Sequence, residues 1–282
     1  MEGRGIWQCG PHAFDLSRPL VMGVLNVTPD SFSDAGEYLD PVAAFSRGHA
    51  MVEEGAAIVD VGGESTRPGA DATDVAEELA RIRPVVASLA DSDVCVSVDT
   101  RHAAVAAACV AAGAQVINDI SGFRDPAMRD VAAGCDAGLV VMHMLGGPGT
   151  MQERPTYSDV VAEVGSWLVR QAQLLEFAGV AHERIVIDPG IGFGKTPEHN
   201  LELLRRLADL ASLGYPVLVG ASRKRFVGSI TGETEPRRRL AGSLAAAVWA
   251  VTHGAAVVRV HDVYETVRAV QVSSAIEKGA AR

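Results

Sequence analysis

The sequence predicts a single (β/α)8 barrel, on two observations: eight short apolar runs alternate with longer helix-forming segments, and each run finishes in polar or glycine residues. The length of 282 residues, 48% of them hydrophobic, suits one sizeable core, since barrels of about 250 residues commonly form a single domain. Residues 1–19, with Trp7 and Phe14 on either side of CGPH, read as a short N-terminal hairpin that closes one mouth of the barrel, and residues 20–282 as the barrel itself.

The strands in order are VMGVLN, AIVDVG, VCVSVD, AQVIND, GLVVMH, RIVIDPG, PVLVGAS and AAVVRVH. Continuous apolar runs of this kind suit parallel strands covered on both faces, and the Ala-, Leu-, Glu- and Arg-rich segments between them supply the helical crossovers that parallel strands require. The strand ends carry Asn26, then Gly62 with Gly63, Asp99, Asn118 with Asp119, His143, Asp188, Gly220 with Ser222, and Arg259 with His261. An Asp, Asn or Ser after a strand can simply cap the next helix. Arg259 and His261 are not capping residues, and their spacing of two puts both on one face of a strand, so a site on the rim explains them better. Two segments after the first and second strands, NVTPDSFSDAGEYLD and GGESTRPGADAT, have the composition either of active-site loops or of ordinary surface turns.

Composition excludes several functions. A formal net charge of −10 argues against a nucleic-acid or anionic-membrane binder, which needs a basic face. The apolar runs are too short and too rich in alanine to span a bilayer. The four cysteines stand far apart with no CxxC pair and no signal-like start is present, so a reducing cytoplasm is the expected compartment. The eight histidines include no HExxH, and no zinc-type spacing occurs. DPGIGFGKT is not a phosphate loop, because Pro189 stands where that motif needs glycine; nor is it a dinucleotide fingerprint, because Lys195 replaces the third glycine.

Arg223, Lys224 and Arg225 follow the seventh strand, where barrels of this class often bind phosphate, although three cations at a helix start can equally be a solvated surface. With Arg259 and His261 on the same rim quarter, they suit a phosphorylated ligand. Asp99, Asn118 and Asp188 offer acceptors and an amide donor to a flat, nitrogen-rich heterocycle such as an aminopyrimidinone.

These residues lie in motifs that resemble those of bacterial dihydropteroate synthases along nearly the whole chain: MGVLNVTPDSFSDAG, DVGGESTRPGA, SVDT, INDISG, DPGIGFGKT, GASRKRF and VRVHDV. The resemblance implies a TIM barrel that condenses a pterin pyrophosphate with p-aminobenzoate, needs Mg2+, is inhibited by sulfonamides and forms a homodimer. It implies a pterin pocket of Asp99, Asn118, Asp188 and Lys224 walled by Met142, Phe193 and Gly220, and a pyrophosphate end of Asn26, Arg259 and His261 with Asn26 as the magnesium ligand. It also implies a p-aminobenzoate side of Phe32, Asp34, Thr66, Arg67, Pro68 and Ser222. Asn26, Asp34, Asp99, Lys224, Arg259 and His261 are the implied catalytic set. Ala35 stands where the resemblance leads one to expect a loop glycine. A pterin-binding methyltransferase barrel and a noncatalytic pterin-binding paralogue are the competing readings; the first has no need of the SRK, Arg259 and His261 set.

Overall fold

The structure is a computed structural model that describes residues 5–28, 41–64, 73–147 and 149–279. A two-stranded antiparallel hairpin, β1 (Ile6–Cys9) and β2 (His12–Asp15), precedes eight parallel strands. These are β3 (Leu20–Asn26), β4 (Ile58–Gly62), β5 (Val96–Asp99), β6 (Val116–Asp119), β7 (Gly138–Met142), β8 (Ile185–Asp188), β9 (Val217–Val219) and β10 (Ala255–Val260). They close in sequential order, with β10 pairing β3, so the expected barrel is present and has no edge strand.

Helices cover the outside: α1 (Pro41–Glu54), α2 (Val75–Ala90), α3 (Ala103–Ala111), α4 (Pro126–Ala133), α5 (Val160–Phe177), α6 (Pro197–Arg205), α7 (Leu207–Ala211), α8 (Arg225–Thr231), α9 (Leu240–Thr252) and α10 (Val263–Lys278). Several start where capping chemistry dictates. Asp74, Asp125 and Asp159 accept from the first-turn N–H groups of α2, α4 and α5, and Thr196 forms a reciprocal cap with His199 ahead of Pro197 on α6. Asp119 turns outward to accept from the N–H groups of Ser121 and Phe123, each at 2.7 Å, and so holds the turn ahead of α4, whose cap is Asp125.

Strand alternation divides the side chains between two cores. The outward set packs beneath the helices as the larger core. The inward set begins with a layer of Met22, Ile58, Cys95, Val116, Val140, Val186, Leu218 and Val257, which packs with Trp7, Cys9 and Leu16 of the hairpin segment. The hairpin therefore plugs the amino-terminal mouth, and the Trp7 indole N–H donates to the Arg184 carbonyl at 3.0 Å. Gly138 permits this approach, because a Cβ there would lie 2.4 Å from the Cys9 sulfur. Among the described residues, no helix is long and apolar enough to cross a membrane.

Candidate active site

Moving an even number of residues toward the carboxyl end of each strand keeps the side chain pointing inward. That step leads from the apolar layer to Asn26, Asp60, Asp99, Asn118, Met142, Asp188, Gly220 and Arg259. Strand register places Asn26 beside Gly62, Gly62 beside Asp99, and Asp99 beside Asn118 around the rim. An apolar floor thus carries a polar layer at the carboxyl-terminal mouth, where barrels of this class hold their sites.

Arg259 organises that layer. Its Nε lies 2.5 Å from Asp60 Oδ2 and its Nη2 2.6 Å from Asp99 Oδ2. Asn118 Nδ2 donates to the same Asp60 oxygen at 3.1 Å. Burial opposes the guanidinium charge, but the Asp60 and Asp99 carboxylates outweigh it and hold Arg259 protonated. Burial also pushes the Asp99 carboxyl upward, and Asp60 adds to this while Arg259 pulls the other way. Asp188 is pushed up to about 6 by burial, against the Gly190 N–H that donates to its Oδ1 at 2.7 Å and the charges of Lys224 and Arg259.

Three inward atoms on neighbouring strands, Asp60 Oδ1, Ser97 Oγ and Asn118 Oδ1, are buried without a hydrogen-bond partner. Each such group costs about 1–3 kcal/mol, so a ligand that brings donors to this layer recovers a substantial free energy. Met142 and Phe193 form a small apolar cluster beside it with Ile120, Met144 and Met151. Lys224 Nζ sits 4.0 Å from the centre of the Phe193 ring, its pKa brought down to about 8 by burial and by Arg259. A flat heterocycle rich in N–H groups fits this mixture of carboxylates, one amide, one ammonium group and thioether and aromatic walls.

The profile of the pterin binding enzyme family matches residues 22–261. The dihydropteroate synthase of Escherichia coli K12 is 47% identical over 264 residues, covering 93% of each chain. The Burkholderia cenocepacia dihydropteroate synthase complexed with 7,8-dihydropteroate superimposes with a TM-score of 0.91 at 46% identity over 99% of both chains. The Yersinia pestis dihydropteroate synthase with a sulfonamide drug complex gives 0.92 at 42% identity, over 97% of this chain and 99% of that one. The chain belongs to the dihydropteroate synthase family.

Against the dihydropteroate synthase pattern, the structure brings Asp99, Asn118, Asp188, Lys224, Arg259, Met142, Phe193 and Gly220 to one mouth. Ser222 and His261 meet at its edge: the His261 N–H donates to Ser222 Oγ at 3.3 Å, and His261 Nδ1 is 3.1 Å from the same oxygen. Phe32, Asp34, Ala35, Thr66, Arg67 and Pro68 lie outside the described residues. The expected three-cation cluster needs correction, because only Lys224 faces the polar layer. Arg223 adopts a left-handed φ of 59° and turns its guanidinium to Asp262, with Nε 3.0 Å from Oδ2, while Arg225 is exposed at the start of α8. His143, read from the strand end as a rim group, is buried on the outward side against Trp167 and Tyr157.

Sequence reasoning missed two residues. Asp60 sits mid-strand in AIVDVG, and its one local signal is the spacing of two from Gly62 on the inward face. Lys195, set aside with the failed phosphate-loop pattern, is almost wholly buried. Its Nζ reaches the Phe193 carbonyl at 2.9 Å, His143 Nδ1 at 3.0 Å and the His143 carbonyl at 3.3 Å. Burial holds the Lys195 pKa down near 7 and brings His143 down to about 3. The lysine so fixes the turn that carries Phe193. Gly190 at the head of that turn has φ +66°, and a Cβ there would lie 1.9 Å from the His143 carbonyl oxygen.

Proposed function

We propose that the chain condenses 6-hydroxymethyl-7,8-dihydropterin pyrophosphate with p-aminobenzoate to give 7,8-dihydropteroate and pyrophosphate, as a transferase of folate biosynthesis. The observation that carries this reading is the buried polar layer of Asp60, Asp99, Asn118 and Asp188 around Arg259, with acceptors still unpartnered. Asp188 and Asn118 read the aminopyrimidinone edge and Asp99 the reduced ring, while Arg259, which the resemblance assigns to the pyrophosphate end, is held by Asp60 and Asp99 beside that ring. Lys224, Met142 and Phe193 hold the faces of the heterocycle. Gly220 leaves room beside Arg259, its nearest approach for an added Cβ being 3.8 Å to Arg259 Cβ.

In the reaction the bond between the pterin methylene carbon and the pyrophosphate oxygen breaks, with its electron pair leaving on oxygen. The arylamine nitrogen forms the new C–N bond and then loses a proton. An arylamine is a weak nucleophile, so assistance to the leaving group lowers the barrier most. His261 donates toward the departing oxygens, and Ser222, in contact with it, takes the p-aminobenzoate carboxylate. Lost ahead of attack, pyrophosphate leaves a cation delocalised over the pterin, and the Asp99 carboxylate lies on the same inward face to offset that charge. Asn26 offers a hard amide oxygen of the kind that would hold magnesium. Bound there, the ion would neutralise charge on the pyrophosphate. Phe32, Asp34, Thr66, Arg67 and Pro68 complete the p-aminobenzoate side in this proposal.

The same reading makes the protein a cytoplasmic homodimer. Trp249 on α9 with Val272 and Ile276 on α10, two helices packed together, leave large apolar side chains exposed, as a self-association surface requires. Incubation with both substrates followed by mass spectrometry tests the activity. Dihydropteroate is expected only when both are supplied, and a folded protein that binds pterin but makes no product would refute the transferase reading.

A further inference from the structure

Outside the pterin pocket, on the helix side of the β4 and β5 ends, three potential ligands converge. Glu64 follows β4, Glu78 lies in the first turn of α2, and His102 immediately precedes α3. His102 Nε2 is 3.8 Å from Glu64 Oε2 and 3.9 Å from Glu78 Oε2, and one ligand atom from each residue lies within 4.8 Å of the others.

An ordinary ion-pair network does not account for this group. Arg101 takes up Glu64 with two bonds, Nε to Oε2 at 3.0 Å and Nη2 to Oε1 at 2.9 Å, and the Thr73 N–H adds a third at 3.3 Å. That leaves Glu78, whose side chain is 0% exposed and whose two carboxylate oxygens meet no donor at hydrogen-bond geometry, the Thr100 hydroxyl being near enough only to ease its charge. The His102 Nε2 atom is likewise buried and unpartnered. Separations of 3.8 and 3.9 Å are too long for hydrogen bonds. They are close to the spacing between ligands around a small divalent ion: an atom at the centre of the triangle would sit about 2.5 Å from each corner, within about half an ångström of Zn–N and Zn–O lengths. His102 is 24% exposed at the side chain, so its ring reaches the surface while Nε2 is turned inward.

We propose that Glu64, Glu78 and His102 form a binding site for a divalent transition ion of the Zn2+ or Co2+ class. The imidazole selects such an ion over magnesium or calcium, which take all-oxygen shells. The two carboxylates and the Arg101 guanidinium sum to one negative charge, so a bound dication would offset the burial cost of Glu78 that Arg101, Arg81 and the Thr100 hydroxyl only partly relieve. The site anchors the end of β4 to α2 and α3, apart from the Asn26 position at the barrel mouth.

Titration of the metal-free protein with Co2+, without phosphate or substrates, tests the proposal. One equivalent is expected to bind with the visible absorption of a four- or five-coordinate ion, and Zn2+ should displace it. Glu78→Gln and His102→Ala should each weaken Co2+ binding at least tenfold, while Asn26→Ala should leave it unchanged. Glu78→Gln keeps the side-chain shape and removes a carboxylate whose charge burial disfavours, so its fold, checked by circular dichroism, is expected to survive. Absence of the absorption in the wild-type protein, equal affinity in the Glu78→Gln protein, or loss of binding in the Asn26→Ala protein would each overturn the assignment.

Discussion

Replacing Asp188 by alanine isolates the contribution of the polar layer to ligand recognition. The side chain is 5% exposed, and its Oδ1 accepts from the Gly190 N–H at 2.7 Å. A bound pterin that gives Asp188 its amino group and a ring N–H loses both acceptors in the variant. Each stranded donor costs about 1–3 kcal/mol, so two of them weaken binding by about 2–6 kcal/mol, at least about 30-fold in Kd. Thermal stability is expected to change little at neutral pH. The lost Gly190 bond is offset by removal of a carboxylate whose charge burial disfavours. Calorimetric titration with a pterin ligand measures the effect, with the near-ultraviolet circular dichroism spectrum as a check on folding. An Asp188→Ala protein that is folded and binds pterin with wild-type affinity would mean that the heterocycle is read elsewhere.

Lys195→Met removes the bonds that hold the Phe193 turn to His143; steady-state kinetics should show KM for the pterin substrate raised about tenfold with a smaller change in kcat, and unchanged constants would refute the positioning role. Burial raises Glu78 from 4.5 to about 7, so its contribution to stability is present at low pH and is lost as pH rises through 7. Glu78→Gln in metal-free buffer should therefore stabilise the protein at pH 8 by on the order of 2 kcal/mol, with the gain vanishing near pH 4.5; a pH-independent difference in Tm would contradict this. A sulfonamide should inhibit competitively with p-aminobenzoate, and it should bind at least about tenfold more tightly in the presence of magnesium pyrophosphate, a coupling of about 1.4 kcal/mol. Equal affinities in the two titrations would show that the first ligand does not prepare the second site.

Much of the site was legible because strand periodicity is local. Once Asn118 and Asp188 are placed at the ends of apolar runs in a closed barrel, their inward direction follows from counting by two. Asp60 escaped because its pattern is that of a strand buried on both faces, and the group that makes its burial tolerable, Arg259, is 199 residues away. Lys195 is hidden in the same way, since His143 lies 52 residues earlier and no neighbouring residue signals the cage around Nζ. The SRK cluster failed for a different reason. Adjacency in sequence says nothing of direction, and the left-handed φ of Arg223 turns its side chain to Asp262, leaving Lys224 alone at the pocket. Asp119 shows the converse, because a polar residue at a strand end with outward parity holds its own turn through Ser121 and Phe123 and stays out of the polar layer.

In the proposed function the heterocycle is read by the inward polar layer above the apolar floor of the barrel. A crystal structure of this chain with pterin pyrophosphate bound decides whether that is so. The amino group and ring N–H of the pterin are expected within hydrogen-bond distance of Asp188, with Asn118 Oδ1 satisfied by the ligand and the ring between Lys224 and Met142. A pterin seated on the helical exterior, or one in the barrel mouth that leaves Asp99, Asn118 and Asp188 uncontacted, would refute this recognition by the polar layer.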